Sequence, residues 1–488
     1  MPIERPAIEP IRSAFRVQFL SDEQLDQMQE ATLRILEEVG VRFPSHKALA
    51  LFADHGAQVD PASEIVKIPR DLVFRAMATV PRYFHVGARD PTCAFDLEEG
   101  ATYFTTDGCG VETVDWETGV RRPSCKADVA RMAHIADYLP SVAFYWPMVS
   151  AQDYGRTAPL HELDASWKHT SKHVQSETLM GAVPARYALE MATVIAGDSE
   201  TLRRRPVFSL VLCTIAPLVQ DSEGIEGALV LAEAGIPVGL LAMPSLGTTV
   251  PATLAAAFAV ADAEIISGTV LLQLASPGAP VSHSIMQAWA DPRTGEYVPY
   301  PLDGRCRFAP VHMAHHWGMP AFGGAFGTES ILPGTWQAAA DIALDPFLVG
   351  LVGAEWVTGM GLNKSFTLLH PEAIILDDDL YHRARYALMT MEVNDETLAL
   401  DWIDQAGPDG QFLKLEHTRR HFRDRWYPRL LERDNYAGWL GKGGKTLAER
   451  AAERVKEILS THQPKPLPAE TRQAVHAIVE RARAQYVK

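Results

Sequence analysis

The chain has 488 residues, 47% of them hydrophobic and 22% charged, which is typical of a globular protein with a large core and excludes both a disordered chain and a small disulfide-stapled scaffold. The formal net charge of −16 leaves no basic field that would attract nucleic acid. The start of the chain lacks the apolar run of a signal peptide, and no uninterrupted apolar stretch reaches about 18 residues, so we expect a cytoplasmic protein without a membrane or nucleic-acid partner.

Residues 1–99 are predicted to form a small N-terminal helical or α+β segment. Ser21 and Gln24 match a capping box, hydrophobic residues follow at helical spacing, and Gly40 supplies a stop signal. A second helix, a short strand and a third helix are predicted at residues 45–56, 65–69 and 70–80.

Short apolar runs alternate with helical, alanine-rich spans over residues 100–380. The runs are predicted to be buried strands, and they lie at residues 102–106, 142–146, 207–213, 237–243, 269–274, 321–325 and 356–360. Buried strands separated by helices indicate parallel β/α units. A doubly wound open sheet and a closed barrel both fit, but no G-x-G-x-x-G phosphate turn follows a strand. We therefore predict an α/β protein built on a (β/α)8 TIM barrel.

Residues 381–488 are strongly helical and charged, and are predicted to be a C-terminal helical region appended to the barrel. Helices are predicted at residues 383–392, 413–425, 445–459 and 470–486. Just ahead of them, the run Asp377-Asp378-Asp379 is interpreted as the solvated start of a helix.

Four aromatic residues lie at the ends of predicted strands or directly after them: Phe104, Tyr145, Trp146 and Phe326. The carboxyl ends of barrel strands meet at one mouth, where such residues could surround a ligand. Aromatic faces attract a quaternary ammonium cation through cation–π contacts of about 0.5–2 kcal/mol each. The alternative for each of these residues is ordinary packing in the core.

Polar side chains are predicted at the same mouth. They are Asp107, Glu177, Gln273, His283, Glu329, His370 and Glu372. Carboxylates among apolar barrel residues either bind a ligand or pair with other groups. Loop capping is an equal alternative for Asp107 and Glu329, whereas the position of Glu372 beside the final strand favours a function.

The sequence predicts no metal site. His312, His315 and His316 form H-x-x-H-H on a helical stretch that precedes a strand, which places them outside the barrel. The five cysteines stand at least sixteen residues apart and lack C-x-x-C spacing, so we expect reduced, structural thiols.

Several motifs resemble the trimethylamine methyltransferase family, whose members are barrel enzymes that move a methyl group from a methylated amine to the cobalt of a separate corrinoid protein. The motifs are Pro244–Leu254, Ala263-Glu264, Leu272–Pro280, His417–Phe422 and Arg433–Tyr436. The resemblance begins at Leu20 and covers nearly the whole chain. Founding members carry pyrrolysine on a loop similar to Gly323–Ser330, at a position near Gly327, and this chain has none. It therefore resembles the glycine betaine methyltransferase branch, whose substrates are quaternary amines such as betaines and carnitine.

This resemblance implies a methyltransferase that acts on a betaine-type quaternary amine. The corrinoid would arrive on a partner protein, so no permanently bound cofactor is expected, and the chain would form a homo-oligomer. Glu372, which matches a family glutamate, is assigned the catalytic role of balancing the ammonium charge, and Gly327 joins the substrate-binding set. Arg305 and Arg307 are weak candidates for binding a substrate carboxylate.

Two other classes of function stay open. A lyase or aldolase on the same type of barrel would need a Schiff-base lysine or a metal at a strand end, and Lys172 and Lys364 are the lysines near such ends. A non-catalytic binder of quaternary ammonium compounds would keep the aromatic cage without a surface for a methyl acceptor.

Overall fold

The computed structural model describes residues 5–108, 110–115, 118–298, 304–424 and 426–486. Its first helix, Asp22–Arg34, has the predicted capping box at Ser21, and it continues as a π-helical turn, Ile35–Val39. Gly40 then takes a φ of 87°, and a Cβ there would lie 2.8 Å from the carbonyl oxygen of Val66, so only glycine fits.

The rest of the N-terminal segment is α+β, as predicted. Helices His46–Asp54 and Arg70–Met77 flank a three-stranded antiparallel sheet of Val41–Arg42, Gln58–Asp60 and Ile65–Lys67. A two-stranded ribbon, His85–Val86 with Phe95–Asp96, leads into the barrel.

Eight parallel strands form the barrel. They are β1 (Tyr103–Thr106), β2 (Val142–Tyr145), β3 (His173–Ser176), β4 (Phe208–Cys213), β5 (Val238–Ala242), β6 (Val281–Ile285), β7 (Phe322–Gly324) and β8 (Trp356–Met360). Strands that follow one another in the chain are neighbours in the sheet, and β8 pairs back with β1. A parallel bridge between His283 and Ala321 joins β6 to β7 and closes the ring. The predicted (β/α)8 TIM barrel is confirmed.

Helices connect the strands. They are α1 (Lys126–Tyr138), α2 (Ala158–His169), α3 (Ala182–Ala196), α4 (Ser222–Glu233), α5 (Leu254–Ala275), α6 (Arg305–His316), α7 (Asp345–Val352) and α8 (Ala373–Leu388), with short helices at Ser199–Arg204 and Trp336–Ile342. By length and composition α5 could cross a membrane, but 78% of its most apolar window is buried inside the protein. It is a core helix of the barrel.

The predicted strand at residues 269–274 is wrong, because these residues form the last part of α5 and the strand begins later, at Val281. A short, continuous apolar run does not distinguish a buried strand from a buried helix. Here α5 is buried on nearly all sides, so its sequence lacks the polar stripe that marks a surface helix.

Two small sheets stand in the loops at the carboxyl end of the barrel. One contains Glu112–Val114, Arg121–Pro123, Leu362–Asn363 and Leu368–Leu369, the first two of which form a hairpin after β1. The other contains Ser245–Leu246, Ala288–Ala290 and Tyr297–Val298, from the loops after β5 and β6. These sheets give the mouth of the barrel an ordered rim.

The C-terminal region is helical, with segments at Asp395–Leu398, Leu400–Ala406, Glu416–His421, Tyr436–Gly441, Leu447–Thr461 and Ala469–Tyr486. The last two helices contact α8, α1 and α3 on the outside of the barrel. The interpretation of Asp377, Asp378 and Asp379 as a solvated helix start is corrected, because all three are at most 6% exposed in the first turns of α8.

Candidate active site at the carboxyl end of the barrel

Side chains alternate between the two faces of each strand, which decides what lies inside the barrel. The inward-facing apolar cluster includes Tyr103, Phe144, Val211, Leu241, Phe322 and Trp356, and Trp146 and Met286 extend it towards the carboxyl end. Phe84, Val86 and Leu97 from the N-terminal segment join this cluster. The amino end of the lumen is therefore filled, and a ligand site belongs at the carboxyl end, where TIM-barrel enzymes place their active sites.

Polar side chains from β1, β2 and β3 meet at that carboxyl end. Asp107, Trp146 and Glu177 follow the last residues of their strands, in step with the inward-facing residues before them. Burial, followed by the negative charge of Glu177, raises the pKa of both Asp107 and Cys213. The Glu177 carboxylate is therefore close enough to Asp107 and Cys213 to influence the pKa of both.

Asp107 is a buried carboxyl group with an open acceptor atom. Its exposed fraction is 5%, and its Oδ1 accepts the N–H of Gly108 at 2.9 Å. Its Oδ2 has no hydrogen-bond partner among the described residues. Burial raises the pKa of Asp107 well above its ordinary value, and the carboxylates of Glu177 and Asp377 raise it further. Such an acceptor is suited to a cationic or hydrogen-bond-donating ligand.

Trp146 supplies an aromatic face beside Asp107. Its indole lies against Gly108, where an added Cβ would come within 2.1 Å of the ring nitrogen, so only glycine fits at that position. Phe322 is a neighbouring ring, tilted by 35° with 6.1 Å between ring centroids. The indole N–H has no acceptor within the described part of the chain. Trp146 is the predicted cage aromatic that does face the lumen.

Gln175 is a lumen residue that the sequence analysis missed. It lies on β3 two residues before Glu177, it is fully buried, and neither its amide oxygen nor its amide nitrogen has a hydrogen-bond partner among the described residues. Its place in the alternation with Glu177 was the signal that could have identified it. Cys213, at the end of β4, has its pKa raised to about 12, so its thiol is protonated and is not a nucleophile at neutral pH.

His370 and Glu372 lie at the rim, in the loop between β8 and α8. The Glu372 Oε1 is 3.7 Å from the His370 Nδ1, and the His370 Nε2 is without a partner in the described ranges. Glu372 is the N-cap residue of α8, but its side chain caps no backbone N–H and is 20% exposed. Nearby, burial raises the pKa of Asp377 to about 8, while its Oδ2 accepts the N–H of Gly361.

The other three predicted cage aromatics face away from the lumen, and their assignment is corrected. Tyr145 donates its hydroxyl to the carbonyl oxygen of Val129 on α1 at 3.0 Å. Phe104 contacts Phe326 and Tyr381 edge to face, with centroids 5.9 and 5.0 Å apart. The alternation of strand side chains explains Phe104 and Tyr145, each of which is one residue out of step with the lumen set.

Two predicted polar residues also lie elsewhere. Gln273 is on α5, and its amide bonds Ala279 and Gly278 just before β6, at the amino end of the barrel. Its placement at the mouth followed from the wrong strand assignment. His283 points outward from β6, and its Nε2 lies 2.7 Å from Asp262 on α5.

Gly327 and Glu329 lie in the loop after β7, as expected, but the carboxylate of Glu329 has protein partners. Its Oε2 is 3.2 Å from the Lys364 Nζ, and Ser365 donates to both of its oxygens. Gly327 is buried and follows Phe326, whose φ is 60°. The geometry favours loop capping for Glu329.

Neither candidate Schiff-base lysine is placed for that chemistry. The Lys172 Nζ donates to the carbonyl oxygens of Ala136, Leu139 and Val142 at the amino end of β2 and β3. Lys364 is bound to Glu329. Arg307, a candidate for a substrate carboxylate, forms a buried ion pair with Asp345 at 2.9 Å.

The histidines singled out in the sequence lie away from the mouth. On α6, His312 bonds the backbone of Val17 and Leu20, His315 bonds Glu355, and His316 is 3.3 Å from Asp26. In the C-terminal region, Glu396, His417 and His421 have side-chain atoms within 4.8 Å of one another, but they lie outside the barrel.

A family model described as trimethylamine methyltransferase matches residues 4–487. The chain belongs to the trimethylamine methyltransferase family. The trimethylamine methyltransferase MttB of Desulfitobacterium hafniense (strain DSM 10664 / DCB-2) is 30% identical, over 96% of this chain and 94% of the relative. The MttB of Methanosarcina barkeri (strain Fusaro / DSM 804) is also 30% identical, over 95% and 94%.

A third relative is the glycine betaine methyltransferase of Desulfitobacterium hafniense (strain Y51). It is 26% identical, over 94% of this chain and 96% of the relative. The solved structure of the Methanosarcina barkeri monomethylamine methyltransferase MtmB covers 91% of this chain and 96% of its own, with 11% identity and a TM-score of 0.44. Family membership, as the resemblance in the sequence indicated, supports methyltransferase activity.

Proposed function

We propose that the protein transfers a methyl group from a quaternary amine to the Co(I) of a corrinoid carried by a separate protein. The observation that carries this proposal is the acidic and aromatic end of the lumen, formed by Asp107, Glu177 and Trp146. An indole face and nearby carboxylates are the groups that bind a quaternary ammonium in proteins. They lie at the end of the barrel where a second protein can approach.

The chemistry asks little of the protein beyond binding and orientation. Co(I) supplies the electron pair for the new bond to the methyl carbon, the C–N bond breaks, and its electron pair stays on nitrogen. Because the leaving amine is neutral, no acid is needed to protonate it. The residues of the lumen must hold the cation with one methyl group directed outward, and this is catalysis through position and field.

Residues inside the lumen bind the cation, and residues at its rim act where the methyl group meets the acceptor. Trp146 contacts the methyl groups through its π face, and Glu177 supplies the opposite charge. The Oδ2 of Asp107 faces the same ligand, and a bound cation favours the ionised carboxylate against the rise in pKa that burial causes. Glu372 and His370 stand above them at the rim, where Glu372 balances the ammonium charge as the methyl carbon is presented to the acceptor. A quaternary rather than a tertiary amine is favoured by the ordinary residues around Gly327, where the founding relatives carry pyrrolysine.

The test is to incubate the protein with reduced cobalamin or a corrinoid protein and with a panel of betaines, carnitine, choline and trimethylamine. We expect methylcorrinoid, detected by its absorbance, with at least one quaternary amine and none with trimethylamine. A spectrum that stays unchanged with every amine and every acceptor would instead support a non-catalytic binder or a lyase.

The corrinoid carrier should be a separate, reversibly docked protein, because it must leave for its next reaction. Transient complexes have modest interfaces with complementary charge at the rim. We expect the purified protein to be colourless and to methylate a cognate corrinoid protein faster than free cobalamin, with a difference that shrinks as salt rises. Co-purification with stoichiometric cobalamin would contradict this arrangement.

A further inference from the structure

We infer that Glu396, His417 and His421 form a zinc site that stabilises the C-terminal region outside the barrel. The inference is independent of the proposed methyl transfer, and it departs from the sequence analysis, which expected no metal site. It follows from the spacing of the ligand atoms, from the hydrogen bonds that orient the two imidazoles, and from the lack of a hydrophobic core in this part of the chain.

The three side chains come from two short helices. Glu396 lies in Asp395–Leu398, and His417 and His421 lie four residues apart in Glu416–His421. Because residues at i and i+4 share a face of a helix, the two rings are neighbours, with 4.5 Å between their centroids. One ligand atom from each of the three residues lies within 4.8 Å of the other two. The Nε2 of His421 is 3.1 Å from the Oε1 of Glu396, close to the roughly 3.3 Å that separates two ligands of a tetrahedral zinc ion.

Both imidazoles are oriented by a second hydrogen bond. The Nε2 of His417 donates to the backbone carbonyl oxygen of Glu396 at 2.8 Å, so the lone pair of this ring is on Nδ1. The Nδ1 of His421 is 2.8 Å from the Oδ2 of Asp424, which leaves Nε2 for the metal. A histidine that binds zinc almost always donates its other N–H to a carboxylate or a carbonyl in this way. Three protein ligands leave the fourth position of a tetrahedral zinc ion to water.

Arg420 is the cation that competes with a metal for Glu396. Its guanidinium is 3.1 Å from Oε1, the same oxygen that contacts His421. No hydrogen bond or ion pair to the other oxygen, Oε2, is recorded within the described residues, so Oε2 can bind a metal while Arg420 stays on Oε1. The alternative is that these groups form only an ion-pair network around a protonated His421. A zinc ion replaces the proton on the Nε2 of His421, so its binding releases one proton.

The segment that carries the cluster has no hydrophobic core. None of the described residues in 389–424 and 426–429 is buried, and Leu400 and Leu413 are 67% and 73% exposed. Units that bury too little apolar surface are commonly stabilised by disulfides or by a bound metal, and the sequence of this segment contains no cysteine. A zinc ion joins the two helices across the loop between Glu396 and His417, which restricts the other arrangements open to the segment.

Zinc titration of the full-length protein tests the site. Protein without an affinity tag is stripped of metal with a chelator and titrated with Zn²⁺ by calorimetry. We expect one equivalent to bind, and His417→Gln and His421→Gln each to weaken this binding by at least about tenfold. The matched control is His55→Gln, which removes an exposed histidine from the N-terminal segment and should leave the zinc affinity unchanged. Equal zinc binding by the native protein and both variants, or no binding at micromolar concentration, would overturn the inference and leave an ion-pair network.

Cobalt and trypsin probe the same site in the native protein. Co²⁺ in a tetrahedral site absorbs visible light through d–d transitions, and we expect this spectrum to appear with Co²⁺ and to disappear when Zn²⁺ displaces it. Trypsin cleaves after Arg419 and Arg420, which are exposed in the helix that carries both histidines. We expect Zn²⁺ to slow cleavage there several-fold in the native protein and not in His421→Gln. An octahedral Co²⁺ spectrum, or cleavage that Zn²⁺ leaves unchanged, would contradict the assigned site.

Discussion

Tyr145 and Trp146 are adjacent in the chain and do different work. Tyr145 faces α1, where its hydroxyl donates to a backbone carbonyl, and Trp146 faces the lumen with an indole N–H that has no acceptor among the described residues. Both are almost completely buried, at 0% and 3% exposure, so burial alone does not distinguish a core aromatic from a ligand-binding one. The face of the strand on which the side chain lies distinguishes them.

The two residues therefore predict opposite outcomes. Trp146→Ala should weaken binding of a quaternary ammonium ligand by about 1–2 kcal/mol, the scale of a desolvated cation–π contact. Tyr145→Phe should leave that affinity unchanged and lower the free energy of unfolding by about 1 kcal/mol, since one buried hydrogen bond is lost. Calorimetry and denaturant unfolding separate the two effects. Weakened binding in Tyr145→Phe would place its ring in the site.

Asp377 predicts how stability depends on pH. Its pKa is about 8 in the folded protein because of burial, whereas an unfolded aspartate titrates at about 4. Between these values the folded state keeps a proton that the unfolded state loses, so the free energy of unfolding falls as pH rises. Asp377→Asn should remove this decline and be more stable than the native chain at pH 8, by on the order of 1 kcal/mol or more.

The control for this experiment is Asp291, whose pKa is lowered to about 2 by its hydrogen bonds to Arg293. Asp291→Asn should have the opposite sign and lose stability at neutral pH. Thermal unfolding at several pH values gives the comparison. A native and an Asp377→Asn protein with parallel pH profiles would show that Asp377 is ionised in the folded state.

At the scale of elements, the carboxyl ends of the strands are where sequence reasoning succeeded and where it failed. Asp107 follows a predicted apolar run and Trp146 ends one, whereas no apolar run precedes Glu177. Gln175 was missed because β3 is polar, and Gln273 was misplaced because α5 is apolar on nearly every side. Periodicity records burial, and it misleads where a strand faces a polar lumen or a helix lies in the core.

The loop between β8 and α8 carries the predicted catalytic residue. Glu372→Gln keeps the side-chain volume and removes the charge, so a role in balancing the ammonium charge predicts loss of methyl transfer. Its cost in stability should be small, about 0.3–1 kcal/mol, since Glu372 lies at a helix N-terminus and no lysine or arginine is recorded beside it among the described residues. Unfolding and transfer rates are measured together. Full activity in Glu372→Gln would remove it from the mechanism.

At the scale of the whole molecule, the N-terminal segment and the barrel share one core. Residues such as Leu33, Phe52 and Val73 belong to the same buried cluster as residues of β4, α4 and α5. The predicted boundaries at residues 99 and 380 divide the chain into three segments, but the first two segments share a hydrophobic core. Aromatic residues after the barrel, by contrast, are often exposed, as Tyr427 and Tyr436 are.

Removing residues 1–80 should therefore prevent cooperative folding, because it uncovers the apolar surface of α5. We expect the truncated protein to aggregate or to show no sigmoidal thermal transition. The full chain, prepared in parallel, is the control. A truncated barrel that stays monodisperse and melts cooperatively would establish residues 1–80 as a separate domain.

The ring of eight strands has one weak joint. β5 and β6 pair over five residues, but β6 and β7 are joined by one bridge at His283 and Ala321 and by the Ser284 hydroxyl on the Phe322 carbonyl. Because fewer main-chain contacts join β6 to β7 than join β5 to β6, β6 and β7 should separate more easily. Any breathing of the barrel that alters its diameter should concentrate at this seam, and amide exchange should be fastest on the two strands that border it.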